Sequence, residues 1–235
     1  MRVLSARSIE RAPGGARFAV VFFCALLAAA CSSTGSRRPT TASAPAGKAA
    51  VQTAVARSDK PDAAPVPEGA RQSYARALAA MQAKDWTEAQ LELKELLLEF
   101  NSYPGPYINL AIVYMHEGHD DDAMRALESA LALDPNQPVA NNQMGILLRR
   151  EGRFKDSEQA YRRAIASDPN YLLAYYNLGV LLDLYLNRGA EALKCYQHYQ
   201  TASAKPDPKV ARWIIELQRR VAKSKGAEVA REDGS

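Results

Sequence analysis

The sequence has few of the residue patterns on which catalytic, metal and nucleotide sites depend. Three cysteines among 235 residues cannot form a disulfide framework or a four-thiolate zinc site. There is no glycine-rich phosphate loop, no nucleophile elbow and no His or Cys pair at zinc-ligand spacing. These absences predict a protein that is not an enzyme, holds no cofactor or metal ion, and has no dedicated small-molecule ligand.

Residues 69–208, the part of the chain most suited to folding, also lack an excess of basic residues. The whole chain carries a formal net charge of +4, but residues 69–208 hold 14 basic and 18 acidic residues. The basic excess therefore comes from the two ends of the chain. Nucleic-acid binding through a basic groove is not expected from this distribution.

Apolar runs are short, and the one near the N-terminus covers thirteen residues from Phe18 to Ala30. A helix of thirteen residues spans about 20 Å, which is less than the roughly 30 Å hydrocarbon core of a membrane. Four arginines precede this run. Residues 1–30 are therefore predicted to be a secretory signal peptide rather than a membrane span.

The end of the apolar run reads LLAAAC and resembles the lipobox of bacterial lipoproteins. This resemblance implies acylation of Cys31, and the serine that follows implies transfer to the periplasmic face of the outer membrane. The three alanines before the cysteine also suit ordinary signal peptidase, which would release a soluble periplasmic protein. Residues 31–69, which are rich in Ser, Thr, Ala and Pro, are predicted to be the lipidated cysteine and a disordered linker.

Matching residues recur every 34 positions in the rest of the chain. Small, glycine and proline positions all follow this period: Ala111, Gly145 and Gly179; Gly118 and Gly152; Pro135 and Pro169. Between them lie stretches such as NLAIVYMHEGHDDDAMRALESALALDP and QMGILLRREGRFKDSEQAYRRAIASDP. These stretches resemble the tetratricopeptide repeat (TPR) family.

The resemblance implies an all-α fold, an α-solenoid of antiparallel helix pairs with a C-terminal capping helix. Residues 70–206 would form four repeats, at 70–103, 104–137, 138–171 and 172–206. Small residues are expected where the two helices of a repeat approach most closely: Ala77, Ala111, Gly145 and Gly179 in the first helices, and Ala89, Ala123, Ser157 and Ala192 in the second. Residues 207–223 are predicted to be the capping helix, and residues 224–235 a disordered tail.

Two groups of titratable residues invite a chemical interpretation. His116, His119 and the three aspartates at 120–122 resemble a metal cluster, but the repeat register places them at a helix end and the following turn. Acidic residues there stabilise the N-terminus of the next helix. Cys195 and His198 stand apart from other reactive groups, and we expect neither to be catalytic.

In TPR arrays the first helices line a concave groove, and the register predicts which side chains face it. Asn109, Gln143 and Asn177 share one position and could form a ladder of amides that pairs with the main chain of an extended peptide; alternatively, they are polar residues on a solvated face. Arg149 and Arg150 are expected to pair with Glu151 or with an acidic residue of a partner. The predicted groove residues are Tyr74, Leu78, Asn109, Ile112, Met115, Asn142, Gln143, Ile146, Arg149, Arg150, Tyr176, Asn177 and Val180.

Together these features predict a non-catalytic scaffold at the outer membrane that binds a protein or peptide in its groove. The layout of lipobox, linker and repeats is similar to that of TPR lipoproteins that act as pilotins for type IV pilus secretins, and of Tad pilus lipoproteins. It is also similar to TPR proteins that accompany TonB–ExbB–ExbD energy-transduction systems. A soluble periplasmic chaperone and a polysaccharide-binding adaptor remain alternatives.

Overall fold

The computed structural model of the protein describes residues 66–232. The predicted signal peptide, the lipidated Cys31 and most of the linker lie outside the described residues. The described part forms helices throughout, and no strand occurs between residues 66 and 232. In chain order the helices are α1 (Glu68–Ala83), α2 (Trp86–Glu99), α3 (Pro104–Glu117), α4 (Asp120–Leu133), α5 (Pro138–Arg150), α6 (Phe154–Ser167), α7 (Leu172–Leu184), α8 (Gly189–Ala202) and α9 (Pro208–Glu232).

Each first helix is followed by a turn that contains one residue with positive φ. Lys84, Gly118 and Gly152 occupy this position in the first three repeats, with φ of 61°, 81° and 77°. In the fourth repeat Asn187 takes it, with φ of 52°, one residue later than a strict 34-residue period would place it. Glycine adopts this left-handed conformation without steric cost, and asparagine tolerates it better than most residues.

Proline ends the second helices of the middle repeats, as the sequence predicted. Asp134 and Asp168 directly precede prolines and adopt extended backbone conformations, which are the conformations that a following proline favours. Their carboxylates accept hydrogen bonds from the backbone N–H groups of Asn136 and Asn170. The chain therefore leaves α4 and α6 through two equivalent turns, which sets the same stacking for successive repeats.

Consecutive helices pack against one another along the whole array. Across repeats, α3 contacts α5 and α5 contacts α7, whereas no two even-numbered helices of residues 66–232 approach to the same extent. The odd-numbered helices therefore form the tighter, inner side of the solenoid. This agrees with the expectation that first helices line the concave face.

The fourth repeat has a longer turn, and a set of ion pairs surrounds it. Arg188 in this turn lies 2.6 Å from Glu191 of α8 and 2.7 Å from Glu158 of α6. Arg162 of α6 also contacts both carboxylates. Side chains of neighbouring repeats are thus joined at the point where the chain departs from the strict period.

Helix α9 covers the end of the fourth repeat, as predicted for a capping helix. Val210 and Leu217 are fully buried, and Trp213 and Ile214 are partly buried in the same cluster. The prediction of a disordered tail from residue 224 is wrong as far as residue 232, because the helix continues to Glu232. Among the helices of residues 66–232, none is both long enough and apolar enough to cross a membrane.

Candidate functional site

Two hydrogen bonds join neighbouring first helices on the inner side of the solenoid. The side-chain amide of Asn109 in α3 donates to the Tyr74 hydroxyl of α1, at 2.6 Å. Two repeats further on, the amide of Asn177 in α7 donates to the amide oxygen of Asn142 in α5, at 2.9 Å. The Tyr171 side chain also lies near Asn142. These polar groups connect one repeat to the next.

The prediction that the amides form an exposed ladder is therefore wrong at Asn109. Asn109 is 0% exposed and Asn142 is 1% exposed, so neither side chain offers its amide to solvent. Asn177 is partly buried and already engaged with Asn142. Gln143 lies beside Ile108 in the repeat register, is partly buried, and makes no side-chain hydrogen bond within residues 66–232. Of the three predicted rungs, Gln143 is the one that keeps its donors and acceptor for a partner.

The other predicted groove residues differ in their exposure. Ile112 and Val180 are buried, each 7% exposed, and contribute to the core rather than to a contact surface. Arg150 is exposed, and its guanidinium lies 2.7 Å from the Asp120 carboxylate. It does not pair with Glu151, whose carboxylate is near Arg153. The partly buried members of the predicted set are Tyr74, Leu78, Met115, Gln143, Ile146, Arg149, Tyr176 and Asn177.

Arg149 lies in the last turn of α5, and aromatic side chains surround its guanidinium. The guanidinium carbon is 5.7 Å from the centre of the Tyr185 ring, and the Tyr161 hydroxyl is close by. Burial raises the pKa of Tyr161, so this phenol is neutral beside the cation. Arg149 Nε and Tyr161 Oη are both buried without a partner in hydrogen-bonding geometry. Arg149 was among the predicted groove residues, whereas Tyr161 was expected only as a packing residue and Tyr185 was not expected to take part. Tyr161 stands out in the sequence because the earlier repeats have leucine at its position.

Tyr176 belongs to a cluster of aromatic rings at the C-terminal end of the solenoid. Its ring centre is 5.4 Å from that of Tyr199, 6.2 Å from that of Trp213 and 6.4 Å from that of Tyr196. Trp213 belongs to α9, so the capping helix supplies part of this cluster. Tyr176 therefore contributes to the packing of the cap as well as to the inner side of the solenoid.

The residues that resemble a metal cluster lie where the register placed them. His116 is in the last turn of α3 and His119 precedes α4, whose first turn holds the three aspartates. Residues 66–232 contain no group of three or more His, Cys, Asp or Glu side chains that could hold a metal ion. The His116 ring stacks on Trp86 with centroids 4.1 Å apart, and burial together with Arg150 lowers its pKa. His116 is exposed and its ring contact with Trp86 accounts for its position without a metal ion.

Cys195 lies partly buried on α8. Burial raises the pKa of its thiol to about 11, so at neutral pH it is protonated and weakly nucleophilic. No other cysteine occurs between residues 66 and 232.

Stacked antiparallel helix pairs with the first helices inside define the class of helical-repeat solenoids. Two family models described as tetratricopeptide repeat match the sequence, at residues 80–142 and 142–208. Residues 80–208, more than half of the chain, therefore belong to the tetratricopeptide repeat family. No curated protein sequence matches the chain.

Solved structures of TPR proteins are similar to the described fold. PilF of Pseudomonas aeruginosa is 21% identical, with a TM-score of 0.60, over 66% of this chain and 70% of that one. MamA of Desulfovibrio magneticus RS-1 is 20% identical, with a TM-score of 0.57, over 70% of this chain and 92% of that one. YrrB, a TPR protein with an unusual peptide-binding site, is 21% identical, with a TM-score of 0.51, over 63% of this chain and 74% of that one. At these identities the likeness shows the fold alone.

Proposed function

We propose that the protein is a non-catalytic adaptor of the cell envelope that binds a protein or peptide on the inner face of its solenoid. The observation that carries this proposal is the composition of that face. Partly buried apolar side chains (Leu78, Met115 and Ile146) lie there with the free amide of Gln143 and the unpaired cation of Arg149. Apolar surface supplies affinity, and the few polar groups fix the orientation of a bound segment. TPR repeats are generally protein-interaction modules, and the structurally similar YrrB is described as having a peptide-binding site.

The proposed location is the periplasmic face of the outer membrane, where Cys31 would carry the lipid anchor. The support is the sequence alone: a signal-like segment, the LLAAAC stretch and the Ser, Thr, Ala and Pro-rich linker. The three alanines before Cys31 support the alternative of a soluble periplasmic protein. Mass spectrometry of the mature N-terminus separates the two, because only the anchored form carries acyl chains on Cys31.

The proposed role is support for the assembly of an envelope machine such as a type IV or Tad pilus or its secretin. The layout of the sequence supports it, and the likeness of the fold to PilF is consistent with it. A deletion of the gene should therefore reduce surface pili and the amount of secretin multimer in the outer membrane. Normal levels of both would contradict this role and favour a different envelope system.

Site-specific photo-crosslinking in cells tests whether the inner face is the binding surface. A photoreactive amino acid replaces Gln143 on the inner face, and a matched variant carries it at Leu98, which is 85% exposed on the second helix α2. We expect a discrete crosslinked product from position 143 and none from position 98. A product from position 98 with none from position 143 would place the partner on the outer face and contradict the proposal.

A further inference from the structure

Among the lysines and arginines between residues 66 and 224, Arg149 alone is partly buried without a carboxylate partner. The others of this range are exposed, except Arg188, which pairs with Glu158 and Glu191. No carboxylate of the described residues lies within 4.0 Å of the Arg149 guanidinium, and its Nε is buried without a hydrogen-bond partner. Burying a charged group away from water is unfavourable unless it is paired.

The carboxylates on nearby turns cannot easily supply the missing charge, because other arginines already hold them. Asp120 is bound by Arg150 at 2.7 Å, and Asp183 is bound by Arg220 of the capping helix, also at 2.7 Å. Glu151 lies 3.4 Å from Arg153. Among the partly buried cations whose side chains the structure describes, the ion pairs thus leave the Arg149 guanidinium without a carboxylate.

The aromatic groups that lie beside Arg149 are neutral, so they bring no negative charge to balance the guanidinium. Burial raises the pKa of both Tyr161 and Tyr176, so these hydroxyl groups stay protonated. The Tyr185 ring lies against the guanidinium and orients it. The last turn of α5 favours a cation through its free carbonyl groups, but this contribution is small and leaves Nε without a partner.

We propose that Arg149 receives the carboxylate of an aspartate or glutamate in the bound peptide; this inference rests on the proposed function. A guanidinium binds a carboxylate through two parallel hydrogen bonds. Ile146 lies one helical turn before Arg149 and would receive an apolar side chain of the same peptide. The partner segment is therefore an extended or helical peptide in which an acidic residue stands at a fixed distance from an apolar one.

Peptide selection followed by a charge-removal cycle tests this assignment. A phage-displayed library of random 12-residue peptides is selected on the purified full chain, and enriched peptides are synthesised with a fluorophore. Each acidic peptide is compared with its amide counterpart (Asp→Asn or Glu→Gln) by fluorescence anisotropy. The proteins are wild type, Arg149→Gln, Arg149→Lys, Ile146→Glu and Arg163→Gln. The last is the matched control, since Arg163 is exposed and has no carboxylate partner.

We expect the enriched peptides to share an acidic residue whose conversion to the amide weakens binding to wild type by about tenfold or more. The same conversion should change binding to Arg149→Gln little, while Arg149→Lys retains part of the effect and Arg163→Gln behaves as wild type. Circular dichroism confirms that each variant is folded. The Lys variant keeps the comparison informative if Arg149→Gln is unstable.

Two other outcomes separate the inference from the function on which it rests. In the first outcome, peptides lose binding to Ile146→Glu, but the affinity ratio of each acidic peptide to its amide counterpart is the same for wild type and Arg149→Gln. The inner face then binds peptides without a role for Arg149. The inference is then overturned and the proposed function stands. If no enriched peptide depends on either Ile146 or Arg149, both are overturned.

Discussion

At the residue scale, a small residue on the first helix of each repeat is matched with a large side chain on the second helix. Gly145 faces Tyr161 and Gly179 faces Tyr196, and the 34-residue register places Ala77 with Leu93 and Ala111 with Leu127 at the equivalent positions, all four buried. A Cβ atom built on Gly145 would lie 2.6 Å from the Tyr161 ring, and one on Gly179 would lie 2.7 Å from the Tyr196 ring. The larger tyrosine is therefore accommodated because the opposite residue has no side chain.

This pairing makes a testable prediction for Gly145→Ala, Tyr161→Leu and the double variant. Gly145→Ala should lower the free energy of unfolding by about 1–3 kcal/mol, because its methyl group overpacks against the ring. The double variant recreates the Ala111–Leu127 pair of the second repeat, so its loss should be smaller than the sum of the two single losses. Urea unfolding monitored by circular dichroism measures all three.

The control for this cycle is Gly226→Ala, since nothing lies within 4 Å of a Cβ built there. It reports the gain that alanine brings to any helix interior and should be neutral or stabilising. If Gly145→Ala proved as stable as this control, the close approach of α5 and α6 would be refuted.

A second prediction concerns the buried amides of the inner side. Asn109→Ala should lower the free energy of unfolding by about 0.5–1.5 kcal/mol, because it removes the buried hydrogen bond to Tyr74. Gln143→Ala, at the same position of the next repeat, should change it by less than about 0.5 kcal/mol. Thermal and urea unfolding of the two variants give the comparison, and equal losses would contradict the division into structural and available amides.

Positions 109 and 143 show that the sequence predicts where an amide lies in the repeat but not whether it is hydrogen-bonded inside the fold. The register correctly placed Asn109, Gln143 and Asn177 at equivalent points of successive first helices. Whether each amide is used inside the fold depends on the residue 35 positions earlier, which is Tyr74 for Asn109, Ile108 for Gln143 and Asn142 for Asn177. Only the packed structure brings these pairs within hydrogen-bonding distance.

At the element scale, glycine and proline mark the ends of the helices in the two middle repeats, and the 34-residue period extends the same pattern to the first and fourth repeats. The length of α9 could not be predicted in this way, since no glycine–proline signal marks its end before Glu232. The ion pairs of Arg188 were also beyond prediction. They depend on how the longer turn of the fourth repeat directs its side chains towards α6.

The capping helix provides a prediction at this scale. Leu217→Ala should lower the free energy of unfolding by about 2–4 kcal/mol, because Leu217 is 1% exposed in the cluster between α9 and the fourth repeat. Ile215→Ala is the matched control on the same helix, and since Ile215 is 51% exposed it should cost less than about 0.5 kcal/mol. Urea unfolding followed through Trp213 fluorescence in a Trp86→Phe background reports on α9 directly. Similar losses for both variants would show that α9 does not pack as described.

At the scale of the whole molecule, stability should be distributed along the array rather than shared equally. Each helix packs mainly on its neighbours in sequence, so a change at one end reaches the other only through the intervening repeats. The C-terminal end is closed by α9, whose removal would expose Leu182, Tyr196 and the rest of the cluster that they share. Loss of the cap should therefore affect the last repeat most.

Hydrogen exchange measured by mass spectrometry tests this expectation on a chain truncated after Asp207. We expect amide protection to fall strongly in α7 and α8, less in α5 and α6, and least in α3 and α4, because the lost contacts are made by the fourth repeat alone. A second truncation after Lys225 is the matched control. It keeps the buried Val210 and Leu217 and should leave protection in α1–α8 unchanged. An equal loss of protection in all four repeats would mean that the array unfolds as one cooperative unit, and nearest-neighbour packing would then not describe its stability.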